Sequence, residues 1–171
     1  KGAPTYRATL NLNGGGSLAR YYVSVSYVDE GGMYKVDEGL KDYNTNANYR
    51  RWNYRLNVDM DITKSTLLKV GVAGSLDKKN EPGMAGNIWA SAMRNNPISV
   101  PVMYSNGYVP AYGSENDQLN PWVAATQTGY QETWNNKLQA NATLEQNLNF
   151  ITKGLKFIGR YGFDTNNYQW I

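Results

Sequence analysis

The sequence predicts an all-β protein, an antiparallel up-and-down meander forming part of a large transmembrane β-barrel, with a short helix in a long extracellular loop. Three observations predict it. Between Tyr49 and Leu76 the side chains alternate in character: Trp52, Tyr54, Leu56, Val58 and Met60 fall on one face, and Arg51, Asn53, Arg55, Asn57 and Asp59 on the other. A sustained period of two is the signature of a strand with one apolar and one polar face. Each arm of this hairpin runs for about 10 residues, longer than the ~5–6 usual in globular sheets and near the ~9–11 of a tilted membrane-crossing strand. The links between strands also alternate, short at one end of the sheet and long at the other, the layout of outer-membrane barrels.

Taken in order, Tyr6, Ala8, Leu10 and Leu12 alternate with Arg7, Thr9, Asn11 and Asn13. Gly14-Gly15-Gly16-Ser17 then makes a tight turn, since glycine adopts positive φ at little cost. It is not a phosphate loop, because no Gly-Lys-Ser/Thr follows. The return strand puts Tyr21, Val23, Val25 and Tyr27 on one face and Arg20, Tyr22, Ser24 and Ser26 on the other. Asp29 to Asn48 reads as a polar loop. Its Asp42-Tyr-Asn44-Thr-Asn46 imitates the opening of a calcium loop, but Ala47 stands at the required glycine and Asn53 at the closing glutamate, so no metal is expected. The hairpin described above turns at Ile62–Ser65, and its second arm sets Leu68, Val70, Val72 and Leu76 against Lys69, Gly71, Ala73 and Ser75.

Asp77 to Thr133 is a long excursion of the kind that is usually functional. A helix is expected over Asn87–Arg94, where Ile88 and Ala92, then Trp89 and Met93, stack at i,i+4. Asn95-Asn96-Pro97 ends it. Trp89, Tyr104, Tyr108, Tyr112 and Trp122 are the candidate ligand-binding residues, because an amphipathic ring offers an apolar face and a polar handle for stacking. The bland alternative is that they pack the loop against itself. Strand character resumes from Trp134 to Glu145, and a last strand carries Leu155, Phe157, Tyr161 and Phe163 against Lys156, Arg160 and Asp164. The expected strands are 5–13, 19–28, 49–61, 66–77, 134–145 and 155–164. Tyr27, Trp52, Tyr54, Trp134, Tyr161 and Phe163 are expected to form an aromatic girdle near the long-loop end.

Composition bounds the chemistry. The 171 residues include no cysteine and no histidine, which removes disulfides, thiolate metal sites and histidine general bases. The net charge of +3 is scattered, so no nucleic-acid stripe is present. Mean hydropathy is −0.61, and a barrel is compatible with that value because only alternate residues face lipid. No catalytic residue, metal or cofactor is expected. The lysine at position 1 and the ending on Trp170-Ile171 suggest a piece of a longer protein.

Several runs resemble the barrel of SusC/RagA-type TonB-linked outer-membrane transporters of Bacteroidetes. They are Gly14-Gly15-Gly16-Ser, Tyr21-Tyr22-Val-Ser-Val-Ser-Tyr27, Glu30-Gly31-Gly32, Tyr49-Arg50-Arg51-Trp-Asn-Tyr-Arg55-Leu-Asn57-Val-Asp59, Asn96-Pro97, Asn120-Pro121-Trp122 and Lys153-Gly154-Leu155-Lys156. The resemblance covers essentially the whole chain. It implies that residues 1–171 form a partial barrel of a ~22-stranded receptor, without plug or TonB box. It also implies import of glycans or peptides across the bacterial outer membrane. The implied partners are a SusD-like surface lipoprotein, the TonB–ExbB–ExbD system through the absent plug, an oligosaccharide or peptide substrate, and outer-membrane lipid. Under that reading Arg51, Arg55, Asn57, Asp59, Lys69, Lys137 and Gln139 face a watery lumen.

Two other readings come from the residues alone. One is a soluble β-sandwich carbohydrate-binding module with Trp89 and Trp122 as platforms. The other is a glycosidase drawing on Asp29, Glu30, Asp37 or Glu38, which needs paired carboxylates across a cleft. Six strands also leave two open edges, which hydrocarbon cannot satisfy. A solitary chain is therefore expected to aggregate, pair with copies of itself, or stand within a complete barrel.

Overall fold

The computed structural model describes residues 2–39, 42–96, 98, 101–110 and 120–171. Six strands, β1 (Thr5–Gly15), β2 (Ala19–Glu30), β3 (Asn48–Thr63), β4 (Thr66–Pro82), β5 (Tyr130–Asn147) and β6 (Lys156–Trp170), form one antiparallel sheet in sequence order. Two helices, α1 (Ala85–Arg94) and α2 (Pro121–Thr126), lie between β4 and β5. The sheet is an up-and-down meander, and it is not closed: β1 pairs only with β2, and β6 only with β5.

That openness corrects the expected barrel wall. The outer backbone groups of Thr5–Gly15 and Lys156–Trp170 have no ladder partner among the described residues, and such groups cannot face hydrocarbon. The apolar face is also broken by charge. Arg50 pairs with Asp29 at 3.3 Å, and Lys78 with Glu132 at 2.9 Å, all four on the Trp52 side of the sheet. The transmembrane barrel, and with it the outer-membrane location, is therefore set aside. The alternative β-sandwich is not formed by the described residues either, since they build a single sheet.

Register explains most of the differences from expectation. β4 continues to Pro82 and β5 starts at Tyr130, because Lys78–Pro82 pair with Tyr130–Trp134. The charges of Lys78-Lys79-Asn80-Glu81 mask this stretch as a loop, yet the Lys78 ammonium lies 4.5 Å from the Trp134 ring centre. β6 runs on to Trp170 for the same kind of reason, its Asn166-Asn167 opposite Lys137 and Asn136. The long connections shrink to 31–47 and 83–129, and both remain at one end.

The aromatics do not form one belt. Tyr27 and Trp52 are direct cross-strand partners with ring centres 5.1 Å apart. Tyr161, by contrast, aligns across the sheet with Ala142, Val70 and Val58, three side-chain rows away from Trp52. The girdle is thus replaced by aromatics staggered along the strands. Two of them cover glycines: the Tyr54 ring lies over Gly74 of the paired strand, and Tyr21 over Gly14, a device that screens the bare backbone of a strand glycine.

Tight links follow side-chain chemistry. Gly16 N–H donates to Ala19 O at 2.8 Å, and the Thr63 hydroxyl donates to that of Thr66 at 2.7 Å. Gly154 takes φ +85°, which closes the β5–β6 turn where Asn149 Oδ1 accepts its N–H. The expected helix forms two residues longer at its start, Ala85–Arg94. The small buried core joins the two helices, with Ile88 packed near Ala124 and Ala125 and flanked by Tyr34 and Met84. It lies beside the sheet end, and both sheet faces are left uncovered along most of their length.

Candidate functional site: a polar trough on the sheet

The polar face is laid out in rows across the strands. One row is Ser26, Asn53, Ser75, Lys137 and Asn166, and the next is Ser24, Arg55, Ala73, Gln139 and Asp164. In both rows β4 contributes a small residue while its neighbours contribute long ones. A side-chain trough of about 620 Å³ results. Its floor is Ala73, Gly74 and Ser75; Arg51, Asn53 and Arg55 form one wall and Lys137 and Gln139 the other. Tyr22, Ser24, Tyr54, Asp164, Thr165 and Asn166 complete the lining.

Part of this lining is fixed. Arg51 Nε donates to Asn53 Oδ1 at 2.8 Å and approaches Asp77 Oδ1 at 3.3 Å. Asn53 Nδ2 in turn donates to Ser26 Oγ at 3.0 Å, and the Tyr49 hydroxyl also donates to Asp77. Arg51 is therefore held and largely neutralised. The polar ends of Arg55, Lys137, Gln139, Asp164 and Asn166 make no side-chain hydrogen bond or ion pair among the described residues. They are donors and acceptors still available to a ligand, set at the spacing of a rigid sheet.

The seven residues expected to line a lumen do share one face, but that face belongs to an open sheet and encloses no bore. The structure brings Arg51, Arg55, Lys137 and Gln139 to the trough. Asn57, Asp59 and Lys69 lie in rows nearer the short turns. There Lys69 Nζ reaches Glu145 Oε1 at 2.6 Å, and Lys156 reaches the other carboxylate oxygen at 3.2 Å. The hydrogen bond from Lys69, then that from Lys156, holds the Glu145 carboxyl below its ordinary range. Glu132 is lowered in the same sense, chiefly by its hydrogen bond from Lys78.

None of the four described candidate aromatics lines the trough. Trp89, 64% exposed, borders a separate, mainly apolar groove of about 650 Å³ with Met33, Tyr34, Tyr49 and Ile88. Tyr104 and Tyr108 are exposed on a turn in which Tyr104 N–H donates to Tyr108 O. Trp122 is half-buried on α2, its indole N–H buried without an acceptor. Tyr112 lies outside the described residues. The calcium-like run spends its polar groups locally: Asn44 Oδ1 accepts from Asn46 N–H, and Asn80 Nδ2 donates to the carbonyls of both.

Sequence reasoning missed Ser24, Asn53, Ala73, Ser75, Asp164 and Asn166 as members of a site. The available signal was the small run Gly71, Ala73 and Ser75 on the polar side of a central strand, between two strands of long polar residues.

No family model matches the chain, and no curated protein matches it. The SusC/RagA resemblance is corrected by the fold, because an open sheet with two free edges is not the closed wall that import through a TonB-dependent bore requires. The motifs that carried it form alternating strands, Asn- and Gly-rich turns and the Asn120-Pro121 start of α2, which a long meander needs in any case.

Proposed function

We propose that the chain is a non-catalytic carbohydrate-binding module whose ligand, a neutral or weakly acidic oligosaccharide, lies in the polar trough. The observation that carries this reading is the small-residue floor between unpartnered polar ends on neighbouring strands. A sugar ring is flat enough to settle on Ala73 and Ser75, and its hydroxyls both donate and accept, so a lining with both kinds of group suits it. Arg55 and Lys137 together outweigh Asp164, which favours a ligand without net positive charge. Binding rather than hydrolysis is supported by the lining, where Asp164 is the single carboxylate, while glycoside hydrolysis ordinarily requires two. Of the acids weighed for hydrolysis, Asp29 is paired with Arg50, Glu30 faces Arg7 at 3.9 Å, and Asp37 accepts from Gly39 N–H.

The test is calorimetric titration of the chain with a panel of neutral and uronic-acid oligosaccharides, followed by variants against whichever binds. Arg55→Ala and Lys137→Ala should each weaken binding about ten- to a hundredfold, as loss of a hydrogen bond from a charged group costs roughly 1.5–3 kcal/mol. Ala73→Leu should block the floor with no polar group removed, whereas Asp59→Asn, on the same face outside the trough, should leave affinity unchanged. Equal affinity in wild type and Ala73→Leu sinks the proposal, as does a panel with no binder.

A further inference from the structure

Arg51, Lys69 and Lys156 on the polar face each have a carboxylate within reach. Arg51 approaches Asp77 at 3.3 Å, Lys69 reaches Glu145 at 2.6 Å, and Lys156 reaches the same carboxyl at 3.2 Å. Arg55, in the middle of β3, is placed differently. Ser24 and Ala73 stand beside it in register, and Tyr22, Ser26, Gly71 and Ser75 take the diagonal positions on the two paired strands. Asn53 and Asn57 precede and follow it on the same face of β3. None of these carries a charge, so the sheet sets a guanidinium where it offers no counter-ion of its own. Lys137 enters from the opposite wall. Its diagonal neighbours include Asp77 and Asp164. Asp77 is already engaged by Arg51 and the Tyr49 hydroxyl, and no ion pair joins Lys137 to Asp164 among the described residues.

Arg55 stands opposite Ala73 and Lys137 opposite Ser75. The two cations are thus two strand spacings apart and one row out of step, about 12 Å between Cα atoms, with only small side chains between them. Arg51 is offset by Asp77, so the trough keeps the two positive charges of Arg55 and Lys137 against the one negative charge of Asp164. One negative charge on a ligand completes the balance.

We propose that Arg55 and Lys137 anchor a single carboxylate, and that the oligosaccharide in the trough carries a uronic-acid residue at that point. This rests on the trough being the sugar site. A carboxylate presents two oxygens in one plane, which a guanidinium meets with parallel N–H donors, while an ammonium approaches from the other side as a point charge. Gln139, in the row of Arg55, and Asn166, in the row of Lys137, are left for hydroxyls, since each amide both donates and accepts. A neutral sugar would leave the guanidinium without a counter-ion, and a cationic one would be repelled.

The test is calorimetric titration with short oligosaccharides that carry one glucuronic, galacturonic or mannuronic residue. Each is run beside the same sugar with its carboxyl reduced to the alcohol. Wild type should bind an acid about tenfold tighter than its reduced partner, or more. Arg55→Gln and Lys137→Gln should each lower that ratio, and the double variant should bring it to one, with a much smaller change in affinity for the reduced sugar. Both side chains are exposed, so the sheet signal in circular dichroism should be retained. Arg160→Gln removes an equal charge from the same face outside the trough and should leave the ratio unchanged. Equal binding of acid and reduced sugar overturns the carboxylate anchor, and the sugar site itself still stands if Ala73→Leu blocks both. A ratio that falls as far in Arg160→Gln as in Arg55→Gln also overturns the anchor, because the preference then comes from general charge. If no member of the set binds, anchor and sugar site fall together.

Discussion

Glu145 shows how a single side chain ties pH to the sheet. Held between Lys69 on β4 and Lys156 at the start of β6, it has a folded-state pKa below its unfolded one. Its contribution is therefore complete above the ordinary glutamate range and is lost as pH falls through the lowered folded value. Glu132, bridged to Lys78, behaves with the same sign. Acid unfolding followed by tryptophan fluorescence should accordingly become less steep between about pH 5 and pH 3 in a Glu145→Gln variant. Gly74 is the other residue on which local geometry turns. A Cβ there would press on the Tyr54 ring, which can swing aside, and on the Lys137 carbonyl, which the paired strand holds in place. Gly74→Val should cost about 1–3 kcal/mol by overpacking, read from urea denaturation, and should shift the Lys137 wall of the trough.

At the scale of elements, α2 depends on one buried asparagine. Asn120 accepts the Trp122 N–H at 3.0 Å as N-cap, and its Nδ2 donates to the carbonyls of Val102 and Pro110. One side chain thereby fastens the helix to the segment before it. Asn120→Ala removes the cap and takes the donor from the Val102 and Pro110 carbonyls, a loss of about 1–2 kcal/mol for the cap alone. Amide exchange across residues 120–128 should quicken in that variant while β2 to β5 stay protected. The strands need no such device. Thr66–Pro82 and Tyr130–Asn147 are held by a continuous ladder, and small residues on the polar side of β4 open the trough without weakening its backbone bonds.

For the whole molecule, the prominent fact is an apolar sheet face much of which the described residues leave exposed. Leu10 is 72% exposed and Tyr161 71%. Dyes that light up on apolar surface should bind the native chain, and Leu10→Ser/Leu12→Ser should reduce the signal with the sheet spectrum unchanged. Absence of dye binding by wild type would mean that this face is covered in solution.

Alternation along the chain was enough to place all six strands, to sort their residues into two faces and to put the long connections at one end. It also located α1, through the i,i+4 stacking of Ile88 with Ala92. These features are local: pleating, helical periodicity and turn chemistry act over a few residues, so a sequence carries them openly. Closure is not local. Curvature and closure depend on twist and stagger accumulated over many strands, and no local residue pattern declares them, which is why an open six-stranded meander stands where a segment of barrel wall was expected. The trough had the same character. Arg55, Ala73, Gln139 and Asp164 are far apart in sequence and became a site only when inter-strand register set them in one row.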